Sequence, residues 1–212
     1  MPLIADPKDD AERRINSALL KLNSHIKKAL NVCKSENASE ASWTRTVDTP
    51  MQGPGFVSVV ITDVAFCGGA HPSTATMSIV YDLRTGKPVD WTHLLPASLT
   101  GKVELSKGID DTRMVTLSSN ALYELFLAGY DSGEGSQEDR AACKEAVQNI
   151  GSDGPPTMMV WLDSKIGGLA VQYDLSQVNQ ACAVPVVITL EKLRAAGAQP
   201  VLIDAIAASR TK

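Results

Sequence analysis

The stretch that decides the fold is FVSVVITDVAF-CGGAHPST-ATMSIVYDL, residues 56–83. Its two flanks are rich in β-branched residues and roughly alternating, which suits a pleated, half-buried surface. Between them lies a glycine pair. Glycine tolerates positive φ, so Gly68-Gly69 is the expected means of turning a chain sharply between two strands. Pro72 biases His71 toward an extended backbone. The segment therefore reads as one long antiparallel hairpin with CGGAHPST as its connection.

Upstream, residues 9–32 read as an amphipathic helix. Ala11, Ile15, Leu19, Leu22, Ile26 and Leu30 recur at spacings of three and four, with charges opposite. Asp9 and Asp10 suit its positive end, and Lys27 and Lys28 the other. KSENASEAS (34–42) is a polar loop in which Asn37-Ala38-Ser39 matches a glycosylation sequon by pattern only. WTRTVD (43–48) is a strand, and TPMQGPG turns.

Downstream, Thr85-Gly86-Lys87-Pro88 is a turn, and VDWTHLLP a short strand leading into a helical turn. Residues 96–110 read as loop, and 110–130 as helix through the second half. DSGEGS (131–136) is a flexible break, and 137–150 a helix ended by Gly151. TMMVWLD (157–163) and GLAVQYD (168–174) form a second hairpin around SKIGG. LSQVNQAC is a short turn or helix, VPVVITL (184–190) a strand, and two helical segments close the chain. There is no internal repeat. The expectation is one α+β domain over 1–212, an antiparallel sheet with helices packed against it.

The composition fits such a domain: 212 residues, 44% hydrophobic and 21% charged, with only 5% aromatic, so Val, Ile, Leu and Ala must fill the core. A net charge of −4 argues against a nucleic-acid partner. No apolar run is long enough to span a membrane, and the apolar 201–208 segment reads as core. The N-terminus is polar within a few residues and shows no export signal, so the chain is expected to be cytosolic or a mature form. The four cysteines, Cys33, Cys67, Cys143 and Cys182, lie far apart. They allow two disulfides in three connectivities, or four buried thiols. Three of them sit in polar or turn-rich surroundings, which favours pairing in an oxidising compartment.

Chemical candidates are few. His71 is the strongest, with Cys67 or Asp82 as the group it would work with in a hydrolase. No GxSxG elbow, HExxH pattern or P-loop is present, so no metal or cofactor is called for. Asp82, Asp90, Asp163 and Asp174 lie at strand ends, where aspartates serve turns. His25 is placed on the polar, solvated face of the first helix, and His93 in a capped turn.

The order of pieces carries more. GGAHP (Gly68–Pro72), the strand ending in Asp82 with Thr85-Gly86-Lys87, Leu94-Leu95, Gly168-Leu169 and the 186–193 segment resemble the domain at the C-terminus of RsiV-type anti-sigma factors and PdaC-type peptidoglycan deacetylases. That resemblance implies a periplasmic or otherwise extracytoplasmic protein. It implies a binding role, toward a lysozyme-like protein or a peptidoglycan fragment, rather than a catalytic mechanism. It makes Gly68, Gly69, Ala70, His71 and Pro72 the candidate binding loop. It also implies disulfides Cys33–Cys67 and Cys143–Cys182, with a cell-envelope hydrolase using His71 as the alternative.

Overall fold

The computed structural model describes residues 2–36, 41–68, 70–131, 136–173 and 182–209. The fold is α+β. Helix α1 (Asp10–Glu36) is followed by strands β1 (Ser42–Gly53), β2 (Phe56–Phe66), β3 (Ser73–Asp82) and β4 (Lys87–Pro88), which form a four-stranded antiparallel sheet in sequence order. The 56–83 hairpin forms as the sequence predicts, pairing Phe56 with Asp82 at one end and Ala65 with Ser73 at the tip end. A 3₁₀ turn (Trp91–His93) and helix α2 (Ala97–Thr100) lead to a second hairpin, β5 (Lys102–Lys107) and β6 (Arg113–Ser118). Then come α3 (Asn120–Gly129), α4 (Gln137–Ile150), β7 (Met159–Asp163), β8 (Gly168–Gln172), β9 (Val186–Thr189), α5 (Leu190–Ala196) and α6 (Pro200–Ser209).

Both faces of the central strands β2 and β3 are covered along most of their length, which explains the near-continuous burial of Phe56–Ile61, whereas β1 and β4 stay largely open on one face or both. One set of alternating residues, with Val57 and Val59 among them, meets Ile15 and Leu19 of α1. The helix stripe expected from the sequence is therefore the one that packs: Ala11, Ile15, Leu19 and Leu22 are buried. The opposite set meets β7 through hydrogen bonds as well as packing. Ser58 Oγ accepts from the Leu162 amide at 3.1 Å, and Ser78 Oγ donates to the Val160 carbonyl at 3.2 Å. These serines give partners to backbone groups on an outer strand of the β7-β8-β9 sheet, groups that are costly to bury alone. Reciprocal backbone bonds between Leu117 and Met158 tie β6 to the start of β7. One apolar cluster joins α1, β1, β2, β3, β6 and the β7-β8-β9 sheet.

Several boundaries depart from the sequence reading. Helix α1 continues to Glu36, a turn beyond the predicted end. Strand β1 runs through the stretch read as a turn. It absorbs Thr49 and Pro50 at an irregularity between Asp48 and Met51, so a proline sits in an outer strand without breaking it. Residues 96–110 are not loop, and the first half of 110–130 is strand β6. Three sheets replace the single one expected. The predicted sequon at Asn37, most of the 131–136 break and most of LSQVNQAC lie outside the described residues.

Candidate functional site

The tip of the β2–β3 hairpin is built outward from Phe66. Gly68 has φ +85°, the left-handed region that favours glycine. Gly68, Ala70, His71 and Pro72 are all exposed, and Gly69 lies outside the described residues. The tip is anchored where it leaves the sheet. Cys67 is disulfide-bonded to Cys33 near the end of α1, with Cα atoms 4.9 Å apart. The second disulfide joins Cys143 of α4 to Cys182, just before β9, at 5.2 Å. These are the two pairs that the resemblance implied, and each closes a loop worth about 4 kcal/mol in the chain-entropy account.

The hydrolase pairing is not assembled. Cys67 is consumed in the disulfide. Asp82 lies at the far end of β3 from His71, about 30 Å away along an extended strand. Its carboxylate instead caps the following turn, accepting from the amides of Arg84 (2.7 Å) and Thr85 (3.3 Å) and from the Arg84 guanidinium (3.1 Å). Partial burial opposes its ionisation, but these bonds outweigh that and hold its pKa below the usual range. Asp90 and Asp163 also serve turns, through the Thr92 amide and through the Lys165 and Ile166 amides. Among the described residues no group of three or more His, Cys, Asp or Glu is gathered to hold a metal.

An ionic cluster that the sequence did not announce lies beneath this end of the sheet. Arg45 of β1 pairs with Asp63 of β2, its cross-strand neighbour. Its Nε donates to Asp63 Oδ1 at 2.6 Å, one Nη to Asp63 Oδ2, and the same Nη to Asp110 Oδ2 at 2.6 Å. The other Nη donates to the Leu22 carbonyl of α1 at 3.1 Å. Exposure of the three side chains is 5%, 0% and 0%, so water does not screen them. Burial alone would favour the neutral forms. The mutual hydrogen bonds prevail, raising the Arg45 pKa and lowering that of Asp110. Thr112 extends the cluster: its amide and hydroxyl both donate to Asp110, at 2.9 Å each. That spends the hydroxyl proton, so His25 Nδ1, 3.1 Å from Thr112 Oγ1, is the donor to it. His25 is thus half-buried and bonded, not solvated as its helix position suggested. His93 is exposed. The available signal was Asp63, a charge in the middle of a β-branched run.

A second feature is a cleft of about 510 Å³ over the part of the sheet that β7–β9 leave uncovered. Its floor is Val60 and Thr62 of β2 with Thr74 and Thr76 of β3. One wall is the Asp48–Pro50 bend of β1, pinned because the Pro50 carbonyl accepts from the amide (3.1 Å) and hydroxyl (2.8 Å) of Ser164. The other wall carries Trp161, Asp163, Gln172 and Pro185. The floor continues along β2 and β3 toward the CGGAHP tip.

No protein-family profile matches this chain, and no curated protein sequence does. Solved structures do. A DUF3298 family protein from Pseudomonas aeruginosa PAO1 is similar with a TM-score of 0.44 and 17% identity, over 76% of this chain and 64% of that one. A member of the same family from Bacteroides fragilis NCTC 9343 is similar with a TM-score of 0.49 and 16% identity, over 94% of this chain and 69% of that one. The chain thus spans about two thirds of the length of either neighbour.

Proposed function

We infer that residues 1–212 form one extracytoplasmic binding module without catalytic activity, and that the CGGAHP tip is its recognition element. The observation that carries this reading is the tip itself, an exposed turn bolted to α1 by Cys33–Cys67. Such a turn is pre-organised, which lowers the ordering cost of binding. Among the described residues no group of three or more His, Cys, Asp or Glu is gathered, and the neighbouring Cys67 is spent in the disulfide. Two disulfides favour an oxidising compartment. The resemblance of the GGAHP turn and its neighbouring motifs to RsiV-type and PdaC-type domains supports a ligand among lysozyme-like proteins and peptidoglycan fragments. The chain's net charge of −4 suits a basic protein.

The test is calorimetric titration with a panel of lysozymes and soluble wall fragments at two salt concentrations. Saturable binding to a lysozyme, weakened by salt, is the expected result. Absence of binding across the panel, or turnover of a wall fragment that His71→Ala abolishes, would overturn the reading.

A further inference from the structure

We propose that the cleft beside the tip is a saccharide site, selective for a neutral sugar bearing an acetamido group. This rests on the binding-module reading and names a ligand class within it. The argument starts from hydrogen-bonding capacity left unused in a mostly buried place. Thr76, Trp161 and Gln172 line the cleft at 8%, 4% and 6% exposure. Gln172 Nε2 donates to the Ala183 carbonyl at 3.0 Å, which fixes the amide and leaves its Oε1 without a partner among the described residues. The Trp161 indole N–H and the Thr76 hydroxyl have no partner among the described residues, nor do the hydroxyls of Thr62 and Thr74. These atoms open onto the cleft rather than into the core, where the buried side-chain atoms without a partner among the described residues are Trp43 Nε1 and the Tyr173 hydroxyl, neither of which lines it. Here several unpartnered groups converge on one open volume.

The chemistry of the wall selects the ligand. Lys165 stands against Asp48 and Asp163, a net of one negative charge, which disfavours a phosphate or carboxylate ligand. Asp163 uses Oδ1 for its own turn, leaving Oδ2 to accept from a ligand hydroxyl. Threonine hydroxyls both donate and accept, matching the dual capacity of a sugar hydroxyl. Trp161 and Gln172 are diagonal neighbours on one face of the β7–β8 pair, because Trp161 pairs with Ala170 and Met159 with Gln172. An indole donor beside an amide acceptor suits the carbonyl and N–H of an acetamido group. Val60, Pro50 and Pro185 provide apolar surface for its methyl and for the ring carbons. A protein anchor would call for a more apolar pocket than this.

The chain has three tryptophans, so its indole N–H region in a ¹H–¹⁵N spectrum holds three signals, and Trp161→Phe assigns the relevant one. The expected result is a saturable shift of the Trp161 signal with the N-acetylglucosamine tetramer and little or none with cellotetraose. Thr62→Val with Thr76→Val keeps β-branched residues in both strands and should weaken tetramer binding by roughly tenfold or more. A Trp161 signal unmoved by the tetramer, or unchanged affinity in the double variant, would overturn the proposal. Equal shifts with both sugars would overturn the acetamido selectivity. Lysozyme moving Trp161 where the tetramer does not would make the cleft a protein interface and overturn the saccharide site. Lysozyme binding with Trp161 unmoved by either would do the same and leave the binding-module reading intact.

Discussion

Replacing Arg45 by methionine should cost about 3–5 kcal/mol at neutral pH, the range for breaking a buried ion pair by removing one partner. The structure gives the reasons. Methionine fills part of the arginine volume but leaves Asp63 and Asp110 with no cation, both side chains at 0% exposure. It also removes the Arg45 bond to the Leu22 carbonyl, which keeps only its intrahelical partner, and so loosens α1 from β1. Against a typical total of about 5–15 kcal/mol, that loss puts the variant near the edge of folding. The pH dependence separates this mechanism from lost packing. In the parent protein the Asp110 pKa is lowered, so its contribution is present above the unfolded value near 4 and fades as pH falls through the lower folded value. In the variant Asp110 loses its guanidinium and keeps only its bonds from Thr112, so burial weighs more against its ionisation and acid costs the folded form less. The gap between the two proteins should therefore narrow from pH 7.5 to pH 4.5. Urea unfolding followed by tryptophan fluorescence at both pH values measures it. A loss below about 1 kcal/mol, or a gap independent of pH, would refute the reasoning.

Other outcomes follow from the same contacts. Gly86→Ala should destabilise by about 2 kcal/mol or more, because φ is +67° and a Cβ would lie 2.4 Å from the Ala11 carbonyl oxygen of α1. Thermal unfolding checks this, with Gly55→Ala (φ +86°, open space) showing the backbone cost alone. Replacing Cys143 and Cys182 together by serine should lower Tm by on the order of 10 °C. Scanning calorimetry would read that loss, and a Tm unchanged by the replacement would contradict it. His71→Ala should shift Tm by no more than about 2 °C, since the side chain is exposed at a turn. The same variant should weaken binding to whatever ligand the tip recognises, as titration calorimetry would show.

The central hairpin was legible because a β-branched run on each side of a glycine pair has few other ways to fold. Helix α1 was legible because its apolar spacing is regular. The β5–β6 hairpin was not, and the reason is visible in its side chains. Val103 and Leu105 of β5 stay 42% and 66% exposed, so the strand lacks the inside–outside contrast that marks a strand in sequence. Its turn depends on Asp111 at φ +64°, a conformation uncommon for a non-glycine residue. Pro50 disguised the second half of β1, since proline argues against a strand unless the strand is at an edge. The candidate loop was legible as a turn from its glycines, and as a binding loop only through the family resemblance. The Arg45–Asp63–Asp110 cluster and the cleft were not, because both gather residues from strands and loops whose meeting depends on the packing of three sheets.

The most direct test of the binding-module reading is amide hydrogen exchange of residues 67–73 with and without excess lysozyme. The account predicts that exchange in this tip slows on binding while the β2–β3 ladder is unchanged. Binding that leaves the tip's exchange rates as they were would contradict it, and so would no binding at all.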